Sequence, residues 1–147
     1  YAHTPDALTQ ALAALRDHCS GRLIVVFGAG GDRDRGKRPE MAAAVERCAD
    51  VAIVTSDNPR GEEPREIIAD IVRGFDSVES RAEELHSGRK GWARVVDRRE
   101  AIALGWTLCR EGDLLFVAGK GAEQTQEIAG ERFPFDDRHE LRRLMEV

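Results

Sequence analysis

Residues 23–31 have the sequence LIVVFGAGG, and this stretch decides the fold class of the chain. Five consecutive apolar residues, three of them β-branched, are typical of a strand that is covered on both faces. The glycines that follow predict a loop at the end of that strand. Apolar runs of the same kind occur at 51–55 and 113–118, with helical patterns between the strands. This alternation predicts an α/β fold, with a Rossmann-like, doubly wound, mainly parallel sheet flanked by helices.

The segments around these strands predict the remaining elements. Thr4 is a candidate N-cap, with Pro5 as the first residue of a helix over 5–19 in which leucines recur at helical spacing. The other predicted elements are helices that begin at 39 and 64, helices at 98–109 and 137–146, a strand at 93–96 and an edge strand near 131–135. The polar stretch 76–91 shows no clear pattern.

The composition predicts one domain over residues 1–147 that binds its partners through local sites. The 22 Lys and Arg against 27 Asp and Glu give a net charge of −5, which argues against nucleic acid or a membrane surface as partner. No apolar stretch is long enough for a membrane-spanning helix, since the longest have about a quarter of the ~20 residues that such a helix needs. Three cysteines without a Cys-x-x-Cys pair predict buried, reduced thiols in a cytoplasmic protein.

Three loops follow the predicted strands at the edge where such sheets bind ligands. We call 28–38 the first loop, 56–62 the second loop and 119–123 the third loop. The first loop fails as a dinucleotide fingerprint because Arg33 stands where a third glycine is needed. It also fails as a P-loop because Arg38 stands where a Ser or Thr hydroxyl is needed for magnesium.

The charged residues of the three loops instead suit a small zwitterion. Arginine pairs bidentately with carboxylates, and the first and second loops supply Arg33 and Arg60. Asn58 offers both a donor and an acceptor, and Glu123 in the third loop can hold an ammonium group. His3, just before the first helix, can reach a bound ligand. The loops together predict an amino-acid site, although each loop alone also fits an ordinary solvated turn. The sequence shows no metal-binding cluster and no Ser-His-Asp order.

Five ordered motifs at loop positions carry a resemblance to a known family. They are Tyr1-Ala2-His3-Thr4-Pro5, Gly30-Gly31-Asp32-Arg33-Asp34 with Gly36-Lys37-Arg38-Pro39, Asp57-Asn58-Pro59-Arg60, Gly119-Lys120-Gly121 with Glu123, and Phe135-Asp136-Asp137-Arg138. Over essentially its whole length the chain resembles the carboxyl-terminal domain of the Mur ligases. The resemblance implies a Rossmann-like third domain that closes over a central ATPase domain. The chain starts with tyrosine, and we expect it to be a piece of a longer protein.

The resemblance also implies roles for individual residues. The substrate-binding residues would be Arg33, Asp57, Asn58, Pro59, Arg60, Gly119 and Glu123. The second loop looks like the one that selects meso-diaminopimelate over lysine, with Arg60 on the distal carboxylate that lysine lacks. An unpaired buried guanidinium is costly, so this discrimination is physically reasonable. Tyr1 and His3 match the segment that meets ATP, and Ala122 departs from the histidine usual in the family.

The implied reaction is ATP-dependent amide formation in peptidoglycan synthesis. The D-glutamyl carboxylate of a UDP-N-acetylmuramoyl-dipeptide is phosphorylated, and the amine of meso-diaminopimelate displaces the phosphate. ATP and Mg²⁺ would be bound mainly by the central ATPase domain, and with neither that domain nor the UDP-sugar-binding domain present we expect the chain alone to be inactive. Two alternatives stay open. The chain belongs to a ligase that adds lysine or another amino acid, or it is a non-catalytic doubly wound module that binds an anion or a protein partner.

Overall fold

A computed structural model describes residues 3–146, and it has the predicted α/β architecture. The helices are α1 (Pro5–Arg16), α2 (Lys37–Cys48), α3 (Pro64–Val72), α4 (Ala82–His86), α5 (Arg98–Leu108) and α6 (Asp137–Met145). The strands are β1 (Leu23–Phe27), β2 (Val51–Val54), β3 (Gly91–Arg94), β4 (Leu114–Val117), β5 (Thr125–Ile128) and β6 (Glu131–Pro134). Strands β1 to β4 form one sheet in the order β3-β2-β1-β4, and every pairing in it is parallel.

The two faces of β1 explain why its sequence is apolar throughout. Val25 and Phe27 point into a cluster formed with α1, α2 and α3. Ile24 and Val26 point into a second cluster formed with α5, together with partly buried residues of α6. Side chains alternate across a strand, so a strand with helices on both faces buries every residue. The prediction of a doubly wound sheet is therefore confirmed.

The helix ends follow local hydrogen bonding. The Thr4 hydroxyl accepts a hydrogen bond from the Ala7 amide at 3.1 Å, which confirms the N-cap of α1. This helix ends at Arg16, before the predicted end at 19, because the amides of His18 and Cys19 bond to carbonyls only three residues back. Helix α2 begins before Pro39, where a missing amide proton costs nothing in the first turn.

Two strand predictions need correction. The strand expected at 93–96 lies at 91–94, where Gly91 pairs with Val51 of β2. The segment 131–135 is not an edge strand of the main sheet, because β6 pairs antiparallel with β5 in a separate hairpin. The hairpin turn contains two consecutive residues with positive φ, 52° and 80°, which matches a two-residue turn between antiparallel strands.

Two further predictions concern membrane-spanning helices and the cysteines. No helix within residues 3–146 is long and apolar enough to cross a membrane. The three cysteines are free thiols as expected, but they are partly exposed rather than buried. Burial is still sufficient to raise the pKa of the Cys109 thiol.

Candidate functional site

The three loops meet beyond the carboxyl ends of β1, β2 and β4, around a cavity of about 420 Å³. The strand order reverses at β1, since β2 and β3 lie on one side of it and β4 lies on the other. Six predicted site residues line this cavity: His3, Arg33, Asp57, Asn58, Arg60 and Glu123. The structure therefore brings together residues from four separate stretches of sequence.

Arg60 lies where the first and second loops touch. Its side chain is largely buried, and its Nη1 donates a hydrogen bond to the Gly31 carbonyl at 3.1 Å. A Cβ on Gly31 would collide with the Pro59 carbonyl, and one on Gly30 would lie 2.7 Å from the Arg60 guanidinium. Glycine at positions 30 and 31 therefore lets the second loop approach the first loop closely. This close approach explains the two glycines without a dinucleotide fingerprint.

Asn58 presents its amide to the cavity in one orientation. The side-chain oxygen Oδ1 accepts from Lys120 Nζ at 2.7 Å and from the Glu127 amide at 2.9 Å. Two donors on one oxygen identify the other amide atom as Nδ2. Asn58 therefore offers a hydrogen-bond donor to a ligand, and its acceptor is already used.

Lys120 is fully buried and is not a cation open to a ligand. Its ammonium donates to Asn58 and to the Thr125 carbonyl at 2.9 Å, and it lies 3.8 Å from a carboxylate oxygen of Asp57 and 3.9 Å from one of Glu123. Burial lowers the pKa of Lys120, while the Asp57 carboxylate opposes that shift. Lys120 therefore links the third loop to the second loop through buried contacts.

Two carboxylates face the cavity with oxygens that have no hydrogen-bond partner among residues 3–146. These oxygens are Oδ2 of Asp57, whose side chain is 2% exposed, and Oε1 of Glu123. His3 Nδ1 lies 4.0 Å from Asp57 Oδ2. Gly119 has a φ of 107°, and a Cβ there would lie 2.5 Å from the same oxygen. A buried carboxylate oxygen that accepts no hydrogen bond is costly, so this side of the cavity can accept hydrogen bonds from a ligand.

The cations of the first loop divide into two groups. Arg33 is exposed at the cavity, and its Nη1 donates to the neighbouring Asp32 carbonyl at 3.1 Å. Arg38 is 1% exposed and donates to both oxygens of Glu62 and to Asp70, and Arg35 also binds Asp70. Arg33 is therefore available to a ligand, whereas Arg38 and Arg35 tie the first loop to the second loop and to α3.

The Arg38–Glu62 pair makes stability depend on pH. Hydrogen bonds from Arg38 lower the pKa of the Glu62 carboxyl from 4.5 to about 2. Because the folded-state pKa lies below the ordinary value, the stabilisation is complete above pH 4.5 and is lost as the pH falls towards 2. We expect Glu62→Gln to lower the free energy of unfolding at pH 7, and the difference from wild type to shrink below pH 4.5. Urea unfolding at a series of pH values measures this.

Glu66→Gln is the matched control, because Glu66 is exposed in the first turn of α3. Its difference from wild type should be small at all pH values. A Glu62→Gln difference that stays constant from pH 7 to pH 3 would show that the ion pair does not cause the effect.

The structure also contains a buried pair that the sequence pattern did not predict. Arg98 donates to both oxygens of Asp137, at 2.8 and 2.7 Å, and to the carbonyls of Ser56 and Ala118. Ser56 and Ala118 lie just after β2 and β4, so the pair ties together the segments that leave the two strands. It also gives a structural role to the motif at 135–138. The sequence gives no signal for the partnership, since the two residues are far apart in the chain.

The other predicted site residues have the following places. Pro59 contacts the first loop through its carbonyl, and Gly119 lies against Asp57. Tyr1 lies outside the described residues. No group of three metal-ligating side chains occurs within 3–146. The cavity thus combines guanidinium groups, an amide donor and carboxylate oxygens that accept no hydrogen bond from the described residues.

Fold and site define a parallel α/β domain with a cavity lined by charged residues beyond the carboxyl ends of its strands. The family model "Mur ligase, glutamate ligase domain" matches residues 1–121, and the chain belongs to this family. The resemblance drawn from the loop motifs is thereby confirmed.

Two relatives carry the name "UDP-N-acetylmuramoyl-L-alanyl-D-glutamate--2,6-diaminopimelate ligase". The protein from Coxiella burnetii is 50% identical over 145 residues, which covers 99% of this chain and 27% of the relative. The protein from Xanthomonas campestris pv. campestris (strain 8004) is 52% identical over 139 residues, covering 93% and 26%. A solved structure of a ligase with the same name superposes with a TM-score of 0.87 at 47% identity, covering 99% of this chain and 28% of that one. The chain therefore spans about a quarter of the length of these relatives.

Proposed function

We propose that this chain is the amino-acid-binding domain of an ATP-dependent ligase that adds meso-diaminopimelate to UDP-N-acetylmuramoyl-L-alanyl-D-glutamate in peptidoglycan synthesis, and that it closes over the ATP site. Residues 1–147 would form this single domain, and the central ATPase and UDP-sugar-binding domains would lie elsewhere in the protein. The observation that carries the proposal is a single cavity lined by Arg60 and by Asp57 and Glu123, each of which has a buried carboxylate oxygen without a hydrogen-bond partner among the described residues.

The charges of the cavity match one end of diaminopimelate. This amino acid has an ammonium and a carboxylate at each end, whereas lysine has no carboxylate at its distal end. Arg60 and Arg33 would pair with carboxylate oxygens, and Asn58 Nδ2 would donate to one of them. Asp57 and Glu123 would accept hydrogen bonds from the ammonium of the held end. The amino group at the other end is then left to react.

The chain's own residues position the amine and leave the activation step to the rest of the protein. ATP would supply the activation of the D-glutamyl carboxylate as an acyl phosphate. We assign Mg²⁺ and most ATP contacts to the central domain, with Tyr1 and His3 as the contacts from this chain. Holding one end of the amino acid fixes the free amine in a single direction, which lowers the entropic cost of reaction.

The proposal is tested with the full-length ligase, ATP and the UDP-linked dipeptide. We expect kcat/KM for meso-diaminopimelate to exceed that for lysine by about 100-fold or more, because lysine has no distal carboxylate to pair with Arg60. Equal values for the two amino acids would refute the specificity. A preference for lysine would instead support the alternative that this is a lysine-adding ligase.

A further inference from the structure

The β5–β6 hairpin braces the second loop along its length. Gln126 Nε2 donates to the Asp57 carbonyl at 2.8 Å, and the Glu127 amide donates to Asn58 Oδ1 at 2.9 Å. Gln126 is buried, so its bond is shielded from water. The strand β5 therefore fixes the backbone of one candidate ligand-binding residue and the side chain of the next.

The hairpin also holds Arg60, through both its backbone amide and its backbone carbonyl. Its amide donates to the Glu127 carbonyl at 2.9 Å, and its carbonyl accepts from the Ala129 amide at 2.7 Å. Arg60 has a φ of 52°, a conformation that residues other than glycine adopt only when their surroundings hold them in it. The two hydrogen bonds supply that constraint.

Glu127 also reaches the charged end of Arg60. Its Oε2 lies 3.4 Å from Arg60 Nε, while Nη1 of the same guanidinium bonds to the Gly31 carbonyl at 3.1 Å. These contacts restrain the guanidinium at Nε and at Nη1. A guanidinium held in one orientation can bind a carboxylate with two parallel hydrogen bonds.

We infer that Glu127 is a positioning residue for substrate selection, which orients Arg60 so that its guanidinium meets the distal carboxylate of the amino acid. The inference rests on the proposed function. It assigns to the hairpin a part in specificity, since the hairpin provides the one carboxylate paired with Arg60 among the described residues.

The test compares Glu127→Ala and Glu127→Gln in the full-length ligase, with meso-diaminopimelate and lysine as substrates. Glu127→Ala removes the support and should raise KM for diaminopimelate about threefold to fivefold, as expected for a partly exposed ion pair, with kcat and the lysine reaction unchanged. Glu127→Gln keeps a side-chain oxygen that can lie beside Arg60 Nε and should stay within about twofold of wild type. Glu131→Ala, on the exposed strand β6 of the same hairpin, is the matched control.

The same measurements in an Arg60→Ala background complete the test. There Glu127→Ala should have no further effect on diaminopimelate, because its target is absent. Equal losses in both backgrounds, or equal losses for both amino acids, would show a merely structural role and overturn the inference. Tighter diaminopimelate binding by Glu127→Gln would also overturn it, since that result would make Glu127 a competitor of the substrate carboxylate. If wild type shows no preference for diaminopimelate, the proposed function itself fails.

Discussion

Replacement of Arg98 by methionine is expected to lower the free energy of unfolding by about 3 to 5 kcal/mol, the cost of leaving one member of a buried ion pair alone. The Asp137 side chain is 6% exposed and would lose both of its charged hydrogen bonds. The carbonyls of Ser56 and Ala118 would each lose a donor as well. Urea unfolding of the 147-residue chain measures the effect.

Two further variants separate the buried charge from general damage. Arg47→Met, at the exposed end of α2, should change the free energy of unfolding by no more than about 0.5 kcal/mol. Adding Asp137→Asn to Arg98→Met should recover part of the loss, because the unpaired charge is then removed. An Arg98→Met variant as stable as Arg47→Met would contradict the role assigned to the pair.

Arg60→Ala is expected to lower kcat/KM for meso-diaminopimelate by about 100-fold, a size typical of removing one partner of a largely desolvated charge pair. The loss should appear mainly in KM, since Arg60 would bind a carboxylate at the end of the substrate remote from the reacting amine. Lysine has no distal carboxylate, so its kcat/KM should change little. Steady-state kinetics of the full-length ligase with each amino acid measures both effects.

The control for this variant is Arg47→Ala, because Arg47 is exposed and does not line the cavity. It removes the same charge and should leave both substrates unaffected. A comparable loss for diaminopimelate in this variant would mean that net charge, and not the position of Arg60, controls binding.

The central strands β1 and β2 were predictable because they are buried on both faces. Every residue of β1 and β2 is buried, so their apolar runs stand out from the surrounding sequence. The strand β5, with the sequence TQEI, has one apolar residue and partly exposed side chains, so its pattern is no different from that of a loop. The hairpin was therefore predicted only in part, as a single edge strand.

The site was predictable as far as chain order determines it. Because β1, β2 and β4 are parallel, their carboxyl ends lie at the same edge of the sheet. The loops that follow these strands bring Arg33, Asn58 and Glu123 to one cavity. The sequence could not show which charges are already paired. Arg38 and Lys120 appear as loop cations in the sequence, yet burial and their neighbours make them internal links. Such pairings join residues that are distant in the chain and depend on packing.

The most direct test of the central claim is a competition assay in which the full-length ligase meets equal concentrations of meso-diaminopimelate and lysine in one reaction. The ratio of the two products gives the ratio of the kcat/KM values. We expect wild type to form almost only the diaminopimelate product, and Arg60→Ala to lose about 100-fold of that preference. The same product ratio in wild type and Arg60→Ala would contradict the claim that this cavity recognises its amino acid through Arg60.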